Sequence, residues 1–383
     1  MKIALVHEWF VDWAGSESVV AQMLLCFPDA HLYSLVDFLS DADRARIGGR
    51  RAQTSFLQRA PFARSKLPYY LPLMPLAIEQ LDLSNYDLII SSSHAVAKGV
   101  ICGPDQIHLC YAHSPMRYAW DQQHQYLRGS LGSGLRGVGL RLLLHYLRIW
   151  DVRTAAGVDA FAANSAYVAR RIRRTYRREA AVIHPPVDTE RFKVRETKDS
   201  YFLCASRLMP YKRVDLVVEA FSRLPELKLV VIGDGPEYKS IARLAGRNVE
   251  LLGYQSTESL IRHLQEATAL VFAAEEDFGI LPVEAQACGT PVIAFGRGGA
   301  LETVNGDDCP SPTGILFQEQ SVDALVQAIR QFHRNRCRFT AQACRQNAER
   351  FSQTVFRERF MDFVRSNIGS HGWTQPPGVM TSA

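Results

Sequence analysis

No stretch of the 383 residues reaches 18 uncharged apolar positions, so no segment reads as a membrane-spanning helix. The opening apolar run, residues 3–6, is ended at once by His7 and Glu8. It is too short for a secretion leader and reads as a first strand. None of the eight cysteines stands in a Cys-x-x-Cys pair, and several lie in apolar runs, where a reduced cysteine is a small hydrophobe. A reducing, cytoplasmic setting is the expectation. The eleven histidines show no His-Glu-x-x-His or similar ligand spacing, so no metal is expected. No Gly-x-Gly-x-x-Gly follows the first strand, which leaves a nicotinamide-dependent oxidoreductase without its fingerprint. Charge of one sign is lacking too: 44 Lys and Arg face 39 Asp and Glu, a net of +5. Aromatic-basic signatures are missing, and no nucleic acid is expected as a partner.

What is present is ordinary globular material, 47% hydrophobic and 22% charged. The length exceeds what one core sustains, so two domains are expected. Strand-like runs at 3–6, 88–91, 109–112, 160–162, 182–183, 201–205, 229–232, 249–252, 270–273 and 292–294 alternate with helical patterns such as 19–26 and 214–221. That alternation implies βαβ units, parallel sheets and an α/β fold. The prolines of His184-Pro185-Pro186-Val187-Asp188 mark a boundary, giving domains 1–186 and 187–351. Phe351, Val355, Phe356, Phe360, Phe363 and Val364 recur at helical spacing. Beyond residue 368 the chain is rich in Gly, Pro and Ser, and disorder is expected.

Four segments carry candidate chemistry. Glu276-Asp277-Phe278-Gly279-Ile280-Leu281-Pro282-Val283-Glu284 follows an apolar run. Pro282 suits the first position of a helix, whose free N–H groups would hold an anion such as a diphosphate. Glu276 before the loop and Glu284 in the first helical turn could grip hydroxyls, or merely offset the helix dipole. Ser206-Arg207-Leu208-Met209-Pro210-Tyr211-Lys212 also lies between strand and helix. Arg207 and Lys212 are fixed cations suited to a leaving diphosphate, or ordinary exposed charges. His113-Ser114-Pro115-Met116-Arg117-Tyr118-Ala119-Trp120-Asp121 puts His113 at a strand end, as a ligand or a packed residue. Ala14-Gly15-Ser16-Glu17 links the first strand and helix, with Gly15 allowing close approach of a phosphate.

Together these segments resemble glycosyltransferase family 4, the retaining GT-B transferases, along nearly the whole chain to about residue 365. Glu276 and Glu284 match the family's E-x7-E pair, and residues 113–121 look like its H-[ST]-P-x-R-Y-x-W-D segment. The family usually has Gly-Gly-Ala-Glu where this chain has Ala14-Gly15-Ser16-Glu17. The resemblance implies two facing Rossmann-like domains, with a C-terminal crossover helix and tail, residues 352–383, the helix returning to the first. It implies that Glu276 and His113 contact the donor sugar and Glu284 the ribose. Phe278, Gly279, Ile280 and Leu281 would meet the diphosphate and sugar, and Arg207 and Lys212 the pyrophosphate. Ser165, Asp188 and Tyr254 would lie near the cleft, Tyr254 close to the base.

The reading is a hexosyltransferase with no metal or other cofactor. The Asp-x-Asp of metal-dependent transferases occurs only as Asp41-Ala42-Asp43, which reads as a helix start after Ser40. The donor expected from the resemblance is GDP-mannose, with UDP-glucose or a UDP-N-acetylhexosamine as the alternative. The acceptor expected is a saccharide or lipid-linked saccharide of surface polysaccharide synthesis. A non-catalytic sugar-nucleotide-binding protein is the competing class, and it predicts erosion of a residue set that is intact here. The basic run 170–178 and the amphipathic segment 135–150 suggest peripheral contact with an anionic inner membrane face, or a solvated helix face.

Overall fold

The computed structural model describes residues 1–127 and 134–369. It divides into two compact units, Met1–His184 with the chain from Phe356 onward, and Pro185–Val355. The tail expected to be disordered lies outside the described residues, except for Gly369.

The first unit holds strands β1 (Ile3–His7), β2 (His31–Ser34), β3 (Gln53–Thr54), β4 (Leu88–Ser93), β5 (Ile107–Ala112), β6 (Ala160–Ala163) and β7 (Ala180–Val182). They form one parallel sheet in the order β3-β2-β1-β4-β5-β6-β7. The second unit holds β8 (Tyr201–Ala205), β9 (Lys228–Ile232), β10 (Val249–Gly253), β11 (Ala269–Phe272), β12 (Val292–Phe295) and β13 (Gly314–Phe317). Their order is β10-β9-β8-β11-β12-β13, again parallel. Helices cover parallel sheets on both faces, so the strands are buried and read as continuous apolar runs. β2, β3 and β13 gave no such run. β3 has two residues, β2 begins and ends on His31 and Ser34, and β13 opens on Gly314.

In each sheet the strand order reverses once, between β1 and β4 and between β8 and β11. Ligands of open α/β sheets bind beyond the carboxyl ends of the strands at that reversal. β4 shows the preparation for this in its own sequence. Leu88-Ile89-Ile90 supplies core, and Ser91-Ser92-Ser93 carries hydroxyls to the carboxyl end, all six residues buried.

The helix Gln353–Gly369 buries Phe356, Phe360 and Val364. The Phe356 ring meets Tyr111 at 5.8 Å and the Phe360 ring meets Phe27 at 6.3 Å, both edge-on. Arg357 donates to the Gln22 side-chain oxygen at 2.5 Å. Each buried ring contributes about 2–3 kcal/mol of transfer free energy, which fastens this helix to the first unit.

Candidate active site

In the second unit, the loop after β8 carries Arg207 exposed and Lys212 half-buried. The loop is fixed by its backbone: Ser206 N–H donates to the Ile232 carbonyl at 3.0 Å, and Leu208 N–H to the Asp234 carbonyl at 2.9 Å. Lys212 lies in a tight turn, Pro210–Lys212, with its ammonium 5.2 Å from the Tyr211 ring centre. That ammonium makes an ion pair with the Glu276 carboxylate beyond β11. Topology thus brings two residues 64 positions apart in sequence onto one side of the sheet reversal.

The Glu276 main chain is held separately from its side chain. Gly299 N–H donates to the Glu276 carbonyl at 2.8 Å. A Cβ at Gly299 would sit 2.3 Å from the Phe278 backbone, so only glycine permits this approach. Gly279 adopts φ +83°, a left-handed conformation, and caps the helix Ile280–Ala287. Having no side chain, it leaves the first-turn N–H groups to be met by something else.

The helix therefore begins two residues before the position expected from Pro282, which stands third rather than first. Glu284 is the fifth helical residue and lies beyond the first turn, correcting its expected place. Gly279 sets the start because its backbone conformation turns the chain before Pro282 is reached. Glu284 is half-buried, and burial pushes its carboxyl up to about 7, with Arg191 opposing.

The folded value lies above the ordinary 4.5, so the native state keeps a proton that the unfolded chain releases between 4.5 and about 7. Stability falls as pH rises through that window, and the full cost stands above it. Glu284→Gln is expected to melt higher than the parent at about pH 8, by on the order of 1 kcal/mol, and to converge with it at about pH 4. Ligand-free thermal melts across that range check this.

The first unit gathers polar groups at the β1–β4 reversal. His7 and Glu8 are fully buried, as are Ser92 and Glu17 to within a few per cent. Glu8 accepts from the N–H groups of His94 (2.9 Å), Ala95 (2.7 Å), Val96 (2.8 Å) and Ala97 (3.0 Å), and from the Ser93 hydroxyl (2.9 Å). Burial raises its carboxyl, but His94 and those N–H groups outweigh that and hold it below the ordinary range. The loop after β4 is pinned by this anion.

His113, at the end of β5, bonds through Nε2 to the Ser92 hydroxyl at 2.8 Å. Burial, then His94 and His7, push its imidazole well below the usual value, so it is neutral. The rest of its segment is anchored elsewhere. Arg171 donates to the Ser114 hydroxyl and pairs with Asp121, and Trp120 Nε1–H donates to buried Asp151 at 2.8 Å. Asp151 also pairs with Lys98 at 2.5 Å.

Gly15 opens the helix Gly15–Cys26, where the Glu17 carboxylate accepts from Ala14 N–H at 3.0 Å. Ser165 is buried and caps the helix Ala166–Tyr176, accepting from Val168 N–H at 3.1 Å. Asp188 is exposed ahead of a tight turn, and Tyr254 is 81% exposed after Gly253. The structure thus brings Lys212 and Glu276 together with the 278–281 loop in the second unit, and sets His113 in the first. Sequence reasoning missed Glu8, Ser92, His94 and Gly299. The signal for the first three was present: polar residues directly after the aliphatic runs of β1 and β4. Among the described residues no group of His, Cys, Asp and Glu is placed to hold a metal ion.

Two parallel α/β units with polar carboxyl-end loops define the GT-B class, and solved structures agree in fold. Anabaena HepE in complex with UDP and glucose is similar at a TM-score of 0.68 and 17% identity, over 96% of this chain and 100% of that one. Sucrose-phosphate synthase from Thermosynechococcus elongatus gives 0.71 at 16% identity, over 97% and 100%. Residues 13–191 match the model for Glycosyltransferase Family 4 and residues 186–351 that for Glycosyl transferases group 1. Both halves of the chain thus carry glycosyltransferase domains, which together span residues 13–351.

A GDP-mannose-dependent monoacylated alpha-(1-6)-phosphatidylinositol monomannoside mannosyltransferase of Corynebacterium glutamicum is 30% identical over 203 residues, covering 45% of this chain. The chain spans about half the length of that relative, 52%. A D-inositol 3-phosphate glycosyltransferase of Mycobacterium leprae is 27% identical over 310 residues, 67% of this chain and 71% of the relative.

Proposed function

We propose that this protein transfers a hexose from a nucleotide-sugar donor, GDP-mannose, to a saccharide acceptor carried on a lipid, with retention at the anomeric carbon and without a metal. The observation that carries the transferase reading is the Lys212–Glu276 pair beside the Gly279-capped helix, with Arg207 exposed on the neighbouring loop. The two cations offset charge on the departing diphosphate, the task a metal performs in other transferases. The helix N–H groups hold its oxygens, and Glu276 binds sugar hydroxyls. The anomeric carbon–phosphate bond breaks, the acceptor hydroxyl bonds to that carbon on the same face, and its proton passes to the departing phosphate oxygen.

Mannose as the sugar is supported by relatives whose names specify GDP-mannose. A UDP-sugar is the second reading, favoured by the fold neighbour holding UDP and glucose. The experiment is donor turnover in the absence of acceptor, with EDTA present, comparing release of GDP from GDP-mannose with release of UDP from UDP-glucose. GDP release, with the freed mannose appearing first as the α anomer, supports the proposal. UDP release alone transfers it to the second donor, and dependence on added metal overturns the metal-free mechanism.

A lipid-borne acceptor calls for a membrane-facing surface, and the first unit has a suitable one. Among the described residues no helix is long and apolar enough to cross a membrane. The helix Gly134–Ala155 instead exposes Val138, Leu142 (65%), Tyr146, Ile149 (58%) and Val152 at helical spacing, with exposed Arg141 and Arg153 beside them. Such a stripe suits the headgroup boundary of an anionic leaflet. The run 170–178 is the weaker candidate, because Arg171, Arg173 and Arg178 are engaged by Asp121, Glu179 and the carbonyls of Ala155 and Asp159. Leu142→Glu with Ile149→Glu is expected to reduce co-sedimentation with phosphatidylglycerol vesicles about tenfold or more and leave donor turnover unchanged. Equal sedimentation of parent and variant would remove the membrane assignment.

A further inference from the structure

The histidine at the end of β5 is the last member of a hydrogen-bonded row that runs through the first unit's interior. Glu17 Oε1 meets His7 Nε2 at 3.3 Å, His7 Nδ1 meets the Ser92 hydroxyl at 3.3 Å, and that hydroxyl meets His113 Nε2 at 2.8 Å. His7 and Ser92 are wholly buried and Glu17 is 3% exposed, so the row lies away from bulk solvent. Among the described residues nothing bonds to Nδ1 of His113.

Proton counting fixes the direction of the row. Burial raises the Glu17 carboxyl, but the hydrogen bonds it accepts from His7 and the Ser16 hydroxyl hold it below its ordinary value. An ionised carboxylate only accepts, and Glu17 also accepts from Ala14 N–H and the Ser16 hydroxyl. His7 Nε2 must therefore carry a proton. Where His7 carries that ring proton alone, its Nδ1 is bare and takes the one proton of Ser92. Ser92, having given its proton, accepts from His113 Nε2–H.

We propose that Glu17, His7 and Ser92 are positioning residues that fix His113 in its Nε2–H form, so that its bare Nδ1 accepts a hydrogen bond from a ligand hydroxyl. This rests on the reading of His113 as a ligand of the donor sugar. It also narrows the ligand's chemistry. A neutral hexose has a hydroxyl proton to offer to Nδ1, whereas a uronic-acid carboxylate facing that nitrogen would meet a lone pair. His94, whose imidazole burial pushes below its usual value, has its ring 6.2 Å from that of His113, and its backbone N–H donates to Glu8.

The test has two parts, and the first does not depend on activity. Nitrogen-15 NMR of the imidazoles in the full chain at about pH 7.5 should show His113 with a protonated Nε2 and a bare Nδ1. In Ser92→Ala that preference should be lost, while Ser92→Thr, which keeps the hydroxyl, should retain it. A protonated Nδ1 in the parent protein overturns the proposal, as does an unchanged tautomer in Ser92→Ala. In the second part, Ser92→Ala should weaken calorimetric binding of GDP-mannose about tenfold and leave GDP binding unchanged, with Ser92→Thr restoring it. Equal loss of GDP and GDP-mannose binding would mark Ser92 as merely structural and overturn its positioning role. If His113→Ala leaves GDP-mannose binding intact, the sugar-ligand reading fails, while the NMR result still decides the tautomer.

Discussion

Glu276→Gln is expected to lower turnover of the donor by about 10²–10³-fold while the melting temperature moves by no more than about 4 °C. The two outcomes separate because the Glu276 backbone and side chain are held by different partners. The carbonyl is fixed by Gly299 N–H, and the close glycine approach to Phe278 keeps the loop in place whatever the side chain. The carboxylate and its Lys212 partner both keep some contact with solvent, which screens the pair, so the pairing adds little to stability. Gln keeps the shape and removes the charge that pairs with Lys212 and that the proposed mechanism assigns to the sugar hydroxyls. Release of nucleoside diphosphate and thermal melts of the same preparation check both halves. Unchanged turnover would sink the site assignment, and a collapse of the melt would recast Glu276 as structural.

Arg207→Ala and Lys212→Ala are each expected to lower kcat by a similar factor, about 10²–10³-fold. Their charge counts most as the diphosphate leaves and gains negative charge, so the loss should fall on kcat more than on affinity for the free diphosphate. The two residues should differ in how they tolerate exchange. Arg207 is exposed and can grip two phosphate oxygens at once, a geometry that Lys cannot reproduce, so Arg207→Lys should recover only part of the loss. Lys212 shares an ion pair with Glu276, so Lys212→Ala combined with Glu276→Gln should cost less than the sum of the two. Arg207 has no such pair with Glu276, and its combination with Glu276→Gln should come closer to adding. Steady-state turnover and calorimetry with free diphosphate read these differences.

The fold was legible where burial on both sheet faces forces an aliphatic run. Residues 201–205, 229–232 and 270–273 announced themselves this way, and the alternation with helices implied parallel sheets. β2, β3 and β13 lacked that signature because they are short or begin on polar or glycine residues. In the second unit the candidate site was legible because its chemistry sits on two contiguous loops, 206–212 and 276–284. The meeting of Lys212 with Glu276 was not, since it depends on β8 and β11 being neighbours in the sheet. The misplaced helix start has the same origin. Pro282 carried the local signal, but Gly279 and its left-handed backbone set the boundary. The row from Glu17 to His113 was hidden for a further reason. It joins four residues from the first helix and three strand ends, and no spacing in one sequence encodes that convergence.

The central claim is that the second unit's loops bind a nucleotide-sugar donor by its diphosphate and sugar. The most direct test is a thermal-shift panel on the full chain with GDP-mannose, GDP, UDP-glucose, UDP and NAD, in EDTA. A ligand that binds only the native state raises the melting temperature according to how far its concentration exceeds its dissociation constant. The account predicts a shift with GDP-mannose and GDP that is reduced in Lys212→Ala. A shift with NAD alone, or with none of the five, would contradict it.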